Sequence, residues 1–222
     1  MPGMNKFRSL ISVGAAFLAA FVVSASLALP QARPGQSVFS ESEPDLERAI
    51  AALRAISTMQ ASFSQSDRSG NRMTGTMTLK RPGRIRFQYA PGIPMLIVSD
   101  GAAMTFVDYE TRQVQRWPIK NSPLGALLDP TRDVKKYSRL LNTGNPGVVA
   151  IEVRDRSHPE YGVLTLRYVR NGSAPGGLEL QGWIALDSQN RQTAVSLSNQ
   201  RYGIAVDENM FRFNDPRRPA RR

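Results

Sequence analysis

Apolar residues recur first at the spacing of a helix and then, along most of the chain, at the spacing of a strand. Leu46, Ile50, Leu53 and Ile56 stand three or four residues apart behind Pro44, which suits a first helical turn. They predict one amphipathic helix over about 44–57. Beyond it the period becomes two. Met73, Gly75, Met77 and Leu79 alternate with Thr74, Thr76 and Thr78, and Ile85, Phe87 and Tyr89 alternate with Arg84, Arg86 and Gln88. Such alternation predicts half-buried strands with one apolar face. Lys80-Arg81-Pro82-Gly83 separates the two runs, and its Pro-Gly pair predicts a tight connection and hence a hairpin.

Further strands are expected near 94–99, 103–108, 112–117, 148–155, 163–170, 178–187 and 193–200, joined by Asp-Gly, Asn-Gly, Pro-Gly-Gly and Ser-Gln-Asn turns. Hairpins in succession make an antiparallel meander. A sheet of about ten strands curls toward a barrel or half-barrel. Only the middle interrupts the pattern. Ser122 to Leu128, and then Val134, Tyr137, Leu140 and Leu141, have helical spacing and predict two short helices. With the helix at 44–57 they would cover the concave face of the sheet, giving a mainly β, α+β fold.

The start of the chain is different. Lys6 and Arg8 precede an apolar run from Leu10 to Leu29, and Ser26-Leu27-Ala28 supplies small residues for signal peptidase. Residues 1–28 read as a secretory signal peptide cut near Ala28, which sends the protein to the periplasm. A retained signal anchor is the alternative, since the run approaches the length needed to cross about 30 Å of hydrocarbon. Its alanine content, its small-residue end and the Pro/Gly segment that follows favour cleavage. Residues 29–43 then form a flexible linker, 44–214 one domain, and 215–222 a basic tail.

Composition narrows the chemistry. The absence of cysteine excludes disulfides, thiol catalysis, thiolate metal sites and lipidation of the protein itself. Loss of Lys6 and Arg8 takes the formal charge from +11 to +9. That charge suits an anionic membrane or an acidic partner; export and the scatter of basic residues argue against nucleic acid. His158, the only histidine, precedes Pro159 after the polar run Arg154-Asp155-Arg156-Ser157 and reads as an exposed turn. Carboxylates sit mostly at turns, as at Asp100, Asp187 and Asp207-Glu208, with no close acid pair. No glycine loop suited to phosphate follows a strand. The chain thus reads as a binder rather than an enzyme, with no metal and no cofactor. Six of the eight methionines follow the signal segment, and Met73, Met77, Met95 and Met104 fall in strands. They are either ordinary core filler or an adaptable apolar surface for variable ligands.

Several segments then converge: Met59-Gln60-Ala61-Ser62-Phe63-Ser64-Gln65, Leu79-Lys80-Arg81-Pro82-Gly83-Arg84-Ile85-Arg86-Phe87, Ile97-Val98-Ser99-Asp100-Gly101 and Phe211-Arg212-Phe213. In order and spacing the chain resembles the outer-membrane lipoprotein carrier protein family, LolA, from about 44 to 214. The resemblance implies an unclosed β-barrel capped by helices. It also implies a monomeric carrier for lipoprotein acyl chains. Lipoproteins would come from an inner-membrane ATP-driven ABC transporter and pass to an outer-membrane lipoprotein receptor, or to the outer membrane itself. The cavity is expected on strand positions Met73, Met77, Leu79, Phe87, Met95, Ile97 and Phe106 and on helix positions Leu124 and Leu127. Family members carry an arginine in the Lys-Arg-Pro motif that closes the lid by hydrogen bonding to a helix; the matching position is Arg81, expected at the sheet rim where the Ser122 to Leu128 helix would dock.

Two departures stand out: Phe87 replaces a frequent Trp, and Pro216-Arg217-Arg218-Pro219-Ala220-Arg221-Arg222 stands where a further short strand is common. The tail is either solvated or drawn to anionic headgroups. A second function remains open, a periplasmic sensor of related fold that binds mislocalised lipid or lipoprotein and regulates an envelope-stress membrane protein. About 170 folded residues leave little room for the extra domain such sensors carry. A hydrolase would need a nucleophile that the sequence does not reveal. Export predicts recovery from the soluble periplasmic fraction with an N-terminus near residue 29, which N-terminal sequencing checks. A full-length chain in the inner membrane would contradict it.

Overall fold

The computed structural model describes residues 42–121, 124–128 and 132–217. The signal peptide, most of the linker, Ser122, Pro123 and the last five residues fall outside the described residues. The first helix, α1, spans Ser42–Ala55, close to the expected range. Ala49, Ile50, Ala52 and Leu53 form its buried stripe, each at most 4% exposed.

Among the described residues, eleven strands form one antiparallel sheet. They are β1 (Thr58–Asp67), β2 (Arg72–Lys80), β3 (Arg84–Tyr89), β4 (Met95–Asp100), β5 (Ala103–Asp108), β6 (Gln113–Pro118), β7 (Ser138–Leu141), β8 (Val148–Arg154), β9 (Val163–Arg170), β10 (Leu178–Leu186) and β11 (Gln192–Tyr202). Their spatial order is β6-β5-β4-β3-β2-β1-β11-β10-β9-β8-β7. The first and last strands meet at the centre of the sheet. β6 and β7 are its two edges, so the barrel stays unclosed. The segment joining those edges carries the short helices α2 (Gly125–Leu128) and α3 (Val134–Tyr137).

Two strands exceed the expected set. The alternation already begins in β1, where Met59, Ala61 and Phe63 are buried between more exposed Gln60, Ser62 and Ser64. Leu140 and Leu141 were expected on a helix, but they lie in β7, where Leu140 faces Ile151 of β8. Their spacing from Val134 and Tyr137 is helical, yet pairing along β8 takes over after one turn of α3. Strand pairing decides what periodicity leaves ambiguous.

Register places Ala61, Met77, Phe87, Ile97 and Phe106 in one row across the inner face of β1 to β5. In β4 and β5 the outer face is buried, while the inner face, though Ser99 and Met104 are buried, is partly open. Leu96, Val98 and Val107, which point outward, are at most 2% exposed, whereas Met95, Ile97 and Phe106 are only half-buried. The outward residues are covered by the C-terminal segment, whose Phe211 packs among them. Charged side chains from the hairpin hold that segment down. Lys80 Nζ donates to Val206 O at 2.9 Å, and Arg86 Nη1 donates to Met210 O at 2.9 Å and Arg212 O at 3.1 Å. Glu208 pairs with Lys80 at 2.6 Å and Arg84 at 3.2 Å.

Gly75 gives the inner face room for aromatic rings. A Cβ there would lie 2.1 Å from Gln88 O and 2.8 Å from the Phe63 ring. That ring makes edge contacts with Phe87 at 5.2 Å and Tyr89 at 5.3 Å between centroids. Gly75→Ala is therefore expected to destabilise the fold by about 1–3 kcal/mol, the usual range for overpacking, as measured by urea unfolding.

Candidate functional site

The register that lines up Phe87 and Ile97 also opens a cleft between the two arms of the sheet. It measures about 210 Å³, with walls from Phe87, Ile97, Met104 and Trp117 on one side and Trp183, Ala185 and Val195 on the other. Leu124, just ahead of α2, also lines it. Phe87 and Trp183 meet edge-on at 6.1 Å across the floor. Gln65, Thr193, Asp187 and Arg191 add polar atoms, the last two paired at 2.7 Å. Burial raises the Asp187 pKa, but hydrogen bonds from the backbone and side chain of Arg191 outweigh it and leave the carboxyl below its usual value. A larger depression of about 750 Å³ adjoins Pro44, but turn residues such as Asn142, Thr143 and Asn145 form much of its wall. The smaller cleft has the apolar lining.

Phe87, Ile97 and Leu124 of the expected cavity residues line this cleft. Met77, Leu79 and Leu127 are at most 1% exposed in the main core, and Met73 and Met95 pack partly buried against it. Phe106 is half-buried on the same inner row as Ile97. Trp117, Trp183, Ala185 and Val195 were not anticipated; inward positions on β6, β10 and β11 were the available signal.

Arg81 is half-buried, and its guanidinium spans the end of α1. Nε donates to Ile56 O at 2.8 Å and Nη2 to Leu53 O at 2.9 Å. The final carbonyls of a helix lack intrahelical partners and carry partial negative charge, so a cation bonds well there. Burial lowers the Arg81 pKa, but a guanidinium stays charged in proteins. The helix expected at this contact was 122–128. Instead, Arg81 engages α1, and α2 meets the same loop through Gly83 N, which donates to Leu128 O at 3.1 Å.

Two hydroxyls near this contact are unusual. Tyr168 and Tyr202 have buried hydroxyl oxygens without a hydrogen-bond partner. Burial pushes the Tyr168 phenol pKa well above its ordinary value, with the Arg81 charge opposing. Burial, then the Glu179 charge, pushes Tyr202 up to about 12, with the Leu180 backbone opposing. An unpaired buried hydroxyl costs about 1–3 kcal/mol.

The connector is fixed on its other side by a cationic contact. Arg132 lies 5.7 Å from the Tyr137 ring and 5.5 Å from that of Tyr161, on which His158 stacks at 4.7 Å. His158 is in an exposed turn, as expected, but neighbouring Asp155 is only 5% exposed and accepts from Ser157 N. Among the described residues, no group of three or more histidines and carboxylates is placed to hold a metal ion.

An unclosed antiparallel sheet with helices over an apolar hollow defines the class as an unclosed, helix-capped β-barrel. The chain belongs to the outer-membrane lipoprotein carrier protein family: residues 54–214 match the family described as Outer membrane lipoprotein carrier protein LolA. An outer-membrane lipoprotein carrier protein of Legionella pneumophila (strain Lens) is 28% identical over 194 residues, covering 81% of this chain and 89% of its own. One from Dechloromonas aromatica (strain RCB) is 28% identical over 174 residues, covering 74% and 80%. Among solved structures, a LolA superfamily protein from Nitrosomonas europaea aligns with 79% of this chain and 99% of its own, at 11% identity and a TM-score of 0.42.

Ile97 is half-buried at the cleft, whereas Met77 is fully buried in the core. Ile97→Asn is expected to leave the fold intact and weaken an apolar fluorescent probe about tenfold, whereas Met77→Asn should unfold the protein. Probe titration and urea unfolding of both variants check this.

Proposed function

We propose that the protein is a periplasmic, non-enzymatic carrier that shields lipoprotein acyl chains in the hollow of its sheet and takes them to the outer membrane. The observation that carries this reading is the half-buried apolar group Met95, Ile97 and Phe106 on the inner face of an unclosed sheet in a member of this family. Each methylene moved from water into such a hollow contributes about 0.8 kcal/mol, so chains can be held without covalent chemistry. The donor of the cargo would be the inner-membrane lipoprotein-releasing ABC transporter. Its acceptor would be an outer-membrane lipoprotein receptor or the outer membrane itself.

Met77, Leu79 and Leu127 fill the closed hollow with the protein's own side chains. Loading then requires α1 and the α2–α3 connector to move away from the sheet, and Arg81 is the latch for α1. Two charge-assisted hydrogen bonds, at about 1.5–3 kcal/mol each, are strong enough to close the lid and weak enough to release it. Met73, Met95 and Phe106 would add ligand surface once the lid has lifted.

Incubation with spheroplasts tests the carrier reading, with release of lipoproteins into the soluble fraction as the expected result. No release would reject it. Arg81→Leu is expected to accept lipoprotein but deliver it to outer membranes at roughly a tenth of the wild-type rate or less, with Arg81→Lys intermediate. A reconstituted transfer assay measures this, and wild-type delivery by Arg81→Leu would remove Arg81 from the site.

A further inference from the structure

Buried phenols usually find a hydrogen-bond partner; Tyr168 has none, and Tyr202 has no well-formed one, with the Leu180 backbone beside it. Both belong to the inner side of the sheet. Tyr168 is fully buried between Val149 and Leu180 in the main core, and Tyr202 stands opposite Met59 and packs against the same core. Leu79, Met59 and Tyr202 stand in one row across β2, β1 and β11, and Arg81, two residues beyond Leu79, donates its backbone N–H to Ser57 O at 2.9 Å. Further along the same two strands, Leu166 faces Trp183, which forms a wall of the cleft. A continuous inner track therefore runs from the latch, past the phenols, to the cleft.

Donors predominate at this end, although the Glu179 carboxylate acts on Tyr202. A guanidinium only donates, and a phenol with no partner offers a free O–H. Such a group gains nothing from a hydrocarbon chain. It matches a ligand whose apolar chains begin at oxygens that only accept hydrogen bonds. We propose that Tyr168 and Tyr202, together with Arg81, form a polar subsite for the ester carbonyls at the head of bound acyl chains. This rests on the carrier reading and adds to it where the head of the lipid sits. While α1 is down, its Leu53 and Ile56 carbonyls occupy the Arg81 fork. When α1 lifts, ester carbonyls replace them, and the phenols gain the partners they lack. The chains then extend past Leu166 and Trp183 toward the cleft.

The test compares two synthetic lipopeptides that differ only in the head linkage, one with two ester-linked palmitoyl chains and one with two ether-linked alkyl chains of equal length. The chain's two tryptophans, Trp117 and Trp183, both line the cleft and report binding by fluorescence. Wild type is expected to prefer the ester probe at least fivefold. Tyr168→Phe and Tyr202→Phe should each reduce ester affinity severalfold and change ether affinity by less than twofold, with urea midpoints no lower than wild type. A wild type that binds both probes equally, variants that keep its ester preference, or variants that lose both probes alike would overturn the subsite and leave the carrier reading standing. Binding of neither probe by wild type would refute the carrier reading and the subsite with it.

Discussion

The chain can pair its strands in order and still leave its barrel open, because β1 closes on β11 rather than β6 on β7. Everything at the candidate site follows from that pairing. With both edges free, the inner face has to be covered by elements outside the sheet, and the connector between the edges is the segment in the right place to do so. α1 covers what the connector does not, and it is held by packing of its apolar stripe, by hydrogen bonds from Arg81 and by the ion pairs Asp45–Arg170 and Glu47–Lys135 rather than by a ladder. A cover held in this way can separate from the sheet without breaking any strand pairing.

The hairpin of β2 and β3 serves three surfaces at once. Its inward residues Met77 and Phe87 belong to the hollow, its loop carries Arg81, and its outward Lys80, Arg84 and Arg86 fasten the C-terminal segment. That segment lets β4 and β5 be apolar on both faces without exposing the outer one, since Phe211 seals Leu96, Val98 and Val107. The inner face of the same strands is then free to remain only half-covered. The outer seal and the inner opening are two sides of one arrangement.

Much of this was legible in the sequence. Alternation gave the hairpin strands with their faces, the helix at 44–57 matched α1 within about two residues, and the curled meander followed from strand number. Phe87 and Ile97 could be placed on the correct face because period two fixes facing within a strand. It does not fix which distant strand stands opposite. For that reason Trp183 and Val195, about a hundred residues away, were not foreseen as the other wall. The Arg81 partner was put on the wrong helix for a similar cause: the motif identifies the cation, but only packing brings the end of α1 over it. The unpaired phenols left no trace in the sequence, since Tyr168 reads as one more inward residue of β9.

The connector has a mechanical consequence. Residues 119–137 run from the end of β6 to the start of β7, so two edges that are not paired among the described residues are still tied by chain. The tether sets a limit on how far the arms can spread while a bulky guest is inside. It also keeps the cover attached at both ends, so it returns to its place by a short local search. A circular permutant cut within this segment, with the old ends rejoined, would retain every strand pair and lose that restraint. The sheet would then behave as a spring without its strap, which separates the contribution of the tether from that of the Arg81 fork.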